Sequence, residues 1–149
     1  MTRILVDGDA CPVKDEVYLV ATRYRIPVVL VANTHLNTPS GDVQMVVVGS
    51  EPDAADDWIA ENTRGRDVVI TADIPLASRC LAAGAQVLGT NGRAFHEGSI
   101  GDALASRELN SHLREVGLTT GGPAPITQKD RSRFLSKLDE FVQRARRES

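Results

Sequence analysis

The sequence has 149 residues, 42% hydrophobic and 25% charged, with a formal net charge of −3; this length favours one domain with one core and needs no disulfide or structural metal to fold. Its two cysteines, Cys11 and Cys80, lack the paired spacing of a zinc site or a disulfide framework, which suits a reducing cytoplasm. Because no apolar run approaches the ~20 residues of a membrane-spanning helix and no signal-peptide core is present, we predict a cytoplasmic protein without membrane contact.

Short β-branched runs alternate with helical patterns along the chain, which is typical of βαβ units around a parallel sheet. Five strands are predicted, at residues 3–7, 27–32, 43–48, 67–71 and 86–88. Helices are predicted at residues 13–24, 50–62, 74–83, 101–116 and 129–146. The strands read as continuous apolar runs, so helices should cover both faces of the sheet. The predicted fold is an α/β, single-domain three-layer sandwich with a mostly parallel five-stranded sheet.

Two connections between the predicted elements bear on the topology and the domain organisation of this fold. Residues 33–42 are too short for a crossover helix, so the topology between the second and third strands stays open. Residues 119–125 (TTGGPAP) form a hinge-like loop before the last helix. The residues beyond that loop are too few to make a domain alone. Residues 1–149 are therefore expected to form a single domain, in which residues 119–149 pack on the preceding part.

Acidic side chains are predicted to gather at the carboxyl ends of the strands, where ligands collect in open parallel sheets. They follow the first strand, open the helix after the third and follow the fourth: Asp7, Asp9, Asp53, Asp56, Asp57 and Asp73. In extended geometry Asp7 and Asp9 would point to the same side. Asp53 lies one helical turn from both Asp56 and Asp57, so two acids can face one point.

Several carboxylates cannot stay ionised together without a cation, because like charges raise one another's pKa. Oxygen ligands suit Mg²⁺ or Mn²⁺, and such an ion can activate water for attack on a phosphodiester. The structural alternative is that Asp53 and Asp56 merely favour a helix N-terminus while Asp73 caps the next helix.

Basic side chains are concentrated near the end of the chain, where residues 126–149 carry seven basic and four acidic groups. Lys129, Arg131 and Arg133 lie near the predicted start of the last helix, where positive charges oppose the helix dipole. This position suggests an anionic neighbour. We predict phosphate contacts from Lys14, Arg93, Lys129, Arg131 and Arg133. Cys11 at a helix start has no histidine nearby in sequence to act as its base, so it is predicted to be dispensable for catalysis.

Five sequence blocks resemble a known family: ILVDGDACPVK, DAADDWI, VVITADIPLA, LGTNGR and GGPAPITQKDRSRF are similar to blocks of the bacterial YaiI/YqxD family. The resemblance spans nearly the whole chain. It implies a fold similar to PIN and NYN domains, which are metal-dependent ribonucleases. It also implies Asp7, Asp53 and Asp73 as the inner catalytic set, with Asp9 and the doublet Asp56-Asp57 beside them.

The leading hypothesis is therefore a Mg²⁺- or Mn²⁺-dependent nuclease that acts on RNA. One alternative is a haloacid-dehalogenase-like phosphatase, because Asp7-Gly8-Asp9 matches its DxD motif, although the later lysine and acidic pair of that class are missing. Another is a non-catalytic module that binds metal or nucleic acid. The sequence leaves open the oligomeric state, and whether Asp56 or Asp57 faces the metal.

Overall fold

The computed structural model describes residues 2–39, 41–51, 53–98, 100 and 126–147. Its strands are β1 (Ile4–Asp7), β2 (Val28–Ala32), β3 (Val43–Val47), β4 (Val68–Ile70), β5 (Gln86–Leu88) and β6 (Ala94–Phe95). Its helices are α1 (Lys14–Tyr24), α2 (Ala54–Asn62), α3 (Ile74–Ala82) and α4 (Gln128–Arg147), and a short 3₁₀ turn spans Gly8–Ala10. The predicted helix at 101–116 and loop at 119–125 lie outside the described residues.

The strands form one sheet in the order β3-β2-β1-β4-β5-β6. All neighbours are parallel except β5 and β6, so the sheet is mostly parallel, as predicted. The predicted count of five strands was wrong, because β6 is a two-residue strand that gives no periodic signal. The open connection is also resolved: β2 and β3 pair in parallel although residues 33–42 contain no described helix.

Helices cover both faces of the sheet and make three layers. Alternate strand residues Ile4, Val28 and Ile70 pack with α1 and α4 on one face. Their neighbours Leu5 and Val69 pack with α2 and α3 on the other. The alternation follows from strand geometry, in which successive side chains point to opposite faces. The central strands are therefore apolar throughout because both of their faces are buried.

Helix α4 runs beside α1 in the same direction. Near the start of both helices, Arg131 contacts Glu16, and near the end of α1 the Tyr24 hydroxyl donates to Asp139. The turn between β5 and β6 supports the start of α4, because a Cβ on Gly92 would lie only 2.6 Å from the Phe134 nitrogen. Gly92 also has a φ of +85°, so a side chain is excluded here twice over. The start of α4 is thereby held at the carboxyl edge of the sheet.

The predicted boundaries mostly agree with the structure within one or two residues, but α2 begins at Ala54 rather than at residue 50. Asp53 occupies the N-cap position there. Among the described residues, none of the helices combines the length and the apolar character that a membrane span requires.

Candidate functional site

The strand order creates a crevice between β1 and β4. The chain leaves β1 toward β2 and β3 on one side, and then continues with β4 and β5 on the other. Ligands of open parallel sheets bind where the order reverses, outside the carboxyl ends of the strands. Asp7 is the last residue of β1, Thr71 follows β4 directly, and Asp73 lies two residues after Thr71. This crevice is therefore the candidate functional site.

Thr71 connects the two sides of the crevice. It is 1% exposed, and its hydroxyl donates a hydrogen bond to Asp7 Oδ2 at 3.2 Å. The Thr71 hydroxyl oxygen also accepts a hydrogen bond from the backbone N–H of Asp73 at 3.0 Å. Because a hydroxyl has one proton to donate and lone pairs to accept, both bonds form together. Thr71 thus fixes the position of Asp7 relative to the loop that carries Asp73.

Asp73 is the N-cap of α3. Its Oδ1 accepts from the Leu76 backbone N–H at 2.8 Å, which satisfies one of the free donors at the helix start. The structural alternative for this residue is therefore realised. Capping occupies one carboxylate oxygen and leaves the charge in place, and that charge contributes to a higher pKa at both Asp7 and Asp56.

The adjacent acids of α2 point to different partners. Asp57 forms an ion pair with Arg79 of α3 at 2.8 Å, on an exposed surface. Asp56 is half-buried, and burial, followed by the charges of Asp73 and Asp7, raises its pKa to about 6. Asp56 is therefore the member of the doublet that faces the crevice.

Asp7 has a similar environment. Burial raises the pKa of its carboxyl, the hydrogen bond from Thr71 opposes that rise, and the charges of Asp73 and Asp9 add to it. Since the charge of Asp73 raises the pKa of both Asp7 and Asp56, these three acids interact electrostatically across the crevice.

Asp9 does not extend β1 as predicted. The chain turns into the 3₁₀ segment at Gly8, where a Cβ would meet Leu30 Cδ1 at 2.8 Å. The exposed Asp9 carboxylate instead accepts from the backbone N–H of Asn33 at 3.0 Å. The prediction that Asp7 and Asp9 share one side through extended geometry was therefore wrong, because the strand ends at Asp7.

Asp53 is exposed at the start of α2, and its side chain makes no capping hydrogen bond. Its charge contributes, after burial and after Asp73 and Asp7, to the raised pKa of Asp56. Asp53 therefore lies at the outer part of the crevice.

The donor set at this edge suits a hard cation, because it consists of carboxylates and a hydroxyl. Within the described ranges, however, no three acidic, histidine or cysteine side chains are close enough to hold a metal ion jointly. Mg²⁺ commonly binds one or two carboxylates and keeps several waters, so a closed protein cage is not required. The chemistry of the residues therefore fits Mg²⁺ or Mn²⁺ without a preformed cage.

The predicted phosphate-binding cations divide into two groups. Arg131 donates to the Pro12 carbonyl and pairs with Glu16, and Arg133 pairs with Asp130, so both serve contacts within the chain. Lys129 and Arg93 are exposed, and among the described residues the Lys129 side chain has no ion pair or hydrogen bond.

Lys14 lies at the start of α1, close to Asp7. Its Nζ donates to the Cys11 carbonyl at 2.9 Å, and its charge partly offsets the burial that raises the pKa of Asp7. Cys11 itself is buried, and burial raises the pKa of its thiol, which disfavours the reactive thiolate.

A family model described as "Uncharacterized BCR, YaiI/YqxD family" matches residues 5–144. The chain belongs to the YaiI/YqxD family. A UPF0178 protein of Paramagnetospirillum magneticum is 55% identical over 99% of this chain and 98% of its own length. UPF0178 proteins of Rhodopseudomonas palustris and Brucella ovis are 54% and 55% identical, over 94% and 91% of their lengths. No solved structure matches the chain.

Thr71 was not predicted as a site residue of this YaiI/YqxD protein. A signal was present, since a hydroxyl at the end of a buried strand needs a hydrogen-bond partner. Asp56 lies three residues before Ile59 and so shares its helix face, but only the burial of Ile59 in the structure shows that this face points inward.

Proposed function

We propose that this YaiI/YqxD protein is a Mg²⁺- or Mn²⁺-dependent nuclease that acts on RNA and has a PIN/NYN-like fold. The observation that carries the proposal is the electrostatic coupling of Asp7, Asp56 and Asp73 at the reversal point between β1 and β4. Like charges that raise one another's pKa favour a counter-cation, and perturbed carboxylates at such a sheet edge are typical of functional sites.

The proposed division of roles follows the geometry. Asp7 and Asp56 would hold the ion, which supplies charge neutralisation at the scissile phosphate and a more acidic water. Asp73, held by its cap to Leu76, fixes a negative charge beside them. Asp53 and Asp9 lie further out, with Asp9 bonded to Asn33, so we assign them supporting contacts through water. Lys14, Lys129 and Arg93 would contact substrate phosphates.

Cleavage of RNA is the direct test. Purified protein should cut a mixed RNA pool in the presence of Mg²⁺ or Mn²⁺ and not in EDTA. Asp7→Asn and Asp56→Asn should abolish cutting, whereas the matched control Asp57→Asn should retain it, because Asp57 is paired with Arg79. Equal activity of Asp56→Asn and Asp57→Asn would contradict the assigned site.

Metal binding can be tested separately from turnover. An ion that binds only the folded chain raises its stability, so millimolar Mn²⁺ should raise the melting temperature of the wild type. The rise should shrink in Asp7→Asn and persist in Asp57→Asn. Binding without cleavage would favour the non-catalytic module.

One observation supports the phosphatase alternative: the Thr71 hydroxyl lies beside Asp7, the first residue of the Asp7-Gly8-Asp9 motif. Hydrolysis of a small aryl phosphate, but not of RNA, would support it over the nuclease.

A further inference from the structure

A second cleft lies at the opposite edge of the sheet, at the amino ends of β2 and β3. Its volume is about 310 Å³, which is at the small end of the range for ligand pockets. Its apolar walls are formed by Ile26, which lies between α1 and β2, and by residues of α1, β2 and β3: Tyr18, Ala21, Val28 and Val43. The cleft is separate from the acidic crevice, because the strands run between the two edges.

Arg25 lines this cleft in an unusual backbone conformation. It ends α1 with a φ of +56°, in the left-handed region where glycine is favoured. Its backbone N–H caps the helix by donating to the carbonyls of Ala21 and Thr22. Among the described residues the exposed Arg25 side chain has no ion pair or hydrogen bond. An arginine here therefore carries a backbone cost that no hydrogen bond or ion pair of its side chain within the described ranges offsets.

Asp42 supplies the opposite charge on the same cleft. Its carbonyl accepts from the Val28 N–H, which fixes the backbone before β3. The Asp42 carboxylate is exposed, and within the described part of the chain it has no ion pair with Arg25 or any other cation. One apolar cleft thus carries an unpaired cation and an unpaired anion.

We propose that this cleft binds a free α-amino acid with an apolar side chain. The Arg25 guanidinium, with its fork of donors, would take the carboxylate, and Asp42 would take the ammonium group. The apolar side chain would pack against Tyr18 and Val43. Both charges of such a zwitterion are matched, whereas a simple acid or amine leaves one of the two protein charges unmatched.

The test is a titration of ¹⁵N-labelled full-length protein with L-phenylalanine, 3-phenylpropionate and phenethylamine. These ligands share the ring and differ in which charges they carry. We expect phenylalanine to bind about ten-fold more tightly than either analogue, with shifted amide signals at Arg25 and Val43. Absent shifts at millimolar phenylalanine, or equal affinities for the three ligands, would overturn the proposal.

Two variants test which protein charge binds the carboxylate of the ligand and which binds its ammonium group. Arg25→Gln should weaken phenylalanine and phenylpropionate binding about ten-fold and leave phenethylamine unchanged, whereas Asp42→Asn should spare phenylpropionate and weaken phenethylamine. Arg147→Gln, an exposed position outside the cleft, removes the same charge and should change none of them. Melting curves verify that each variant is folded. If Arg25→Gln and Arg147→Gln behave alike, Arg25 does not bind the carboxylate.

Discussion

The Thr71 hydroxyl donates a hydrogen bond to the Asp7 carboxylate across 3.2 Å, and so joins the carboxyl ends of β1 and β4. Thr71→Val keeps the shape of the side chain and removes this bond together with the one from the Asp73 N–H. Because Thr71 is buried, leaving that N–H unpaired should cost about 1–3 kcal/mol of unfolding free energy.

Urea denaturation of Thr71→Val and Thr71→Ser measures this effect. Serine retains the hydroxyl and loses one methyl group, so its loss should be about 1 kcal/mol and come from packing alone. If the protein cleaves RNA, Thr71→Ser should also retain cleavage, whereas Thr71→Val should reduce it. A valine variant as stable as the wild type would show that the bridge contributes nothing.

The pKa of Asp56 predicts a pH dependence. The folded chain holds its proton up to about pH 6, whereas the unfolded chain releases it near the ordinary value of 3.8. The folded state therefore binds more protons between these values, so stability falls as the pH rises through that window. Burial raises the pKa of Asp7 as well, and its contribution has the same sign.

Asp56→Asn removes the free-energy cost of ionising this carboxyl in the folded state. The variant should gain stability over the wild type at pH 7, by about 1 kcal/mol because solvent screens a half-exposed carboxyl. The gain should shrink as the pH falls and vanish below about pH 3, where the carboxyl is protonated in both the folded and the unfolded wild type. Asp57→Asn should show no such gain, since it loses the ion pair with Arg79. Urea titrations at several pH values give the comparison, and a gain independent of pH would contradict the electrostatic cause.

Two tyrosines of α1 should respond oppositely to loss of the hydroxyl. The Tyr18 hydroxyl is buried without a hydrogen-bond partner among the described residues, so Tyr18→Phe should stabilise the chain by about 1 kcal/mol. Tyr24 donates to Asp139 and accepts from Gln143, so Tyr24→Phe should destabilise it by about 1 kcal/mol. Chemical denaturation of the pair decides this, and shifts of equal sign would refute the assignment.

The cations of α4 should separate into substrate and structural roles. Lys129→Glu should weaken RNA binding and reduce its salt slope by about one, without changing the melting temperature. Lys137→Glu is the matched control, because Lys137 lies about two turns further along the helix and pairs with Glu140. Equal RNA binding by both variants would exclude Lys129 as a phosphate contact.

Arg131→Glu should instead lower the melting temperature, since it leaves the Pro12 carbonyl without its donor and places a second carboxylate beside Glu16. Its effect on RNA binding can therefore be interpreted only beside a measurement of stability.

The local sequence determined most of the fold because its signals are local. Apolar runs specified β1, β2 and β4, which have both faces buried, and helical periodicity specified α1 and α3. Asp73 was recognisable as a possible cap because Pro75 follows it inside the first turn. The sequence also placed Asp7 at a strand end, since the apolar run of β1 stops there.

Only the tertiary structure decided which of these groups meet. Asp7 and Thr71 are 64 residues apart and come together because β1 and β4 are neighbours in the sheet, a pairing that no local pattern encodes. Burial of Ile59 fixes the rotation of α2, which turns Asp56 into the crevice and leaves Asp57 to Arg79. The position of Asp9 was predicted wrongly because β1 ends in a turn at Gly8, where Leu30 approaches closely. Leu30 belongs to a distant segment of the chain, so no local pattern predicts this contact.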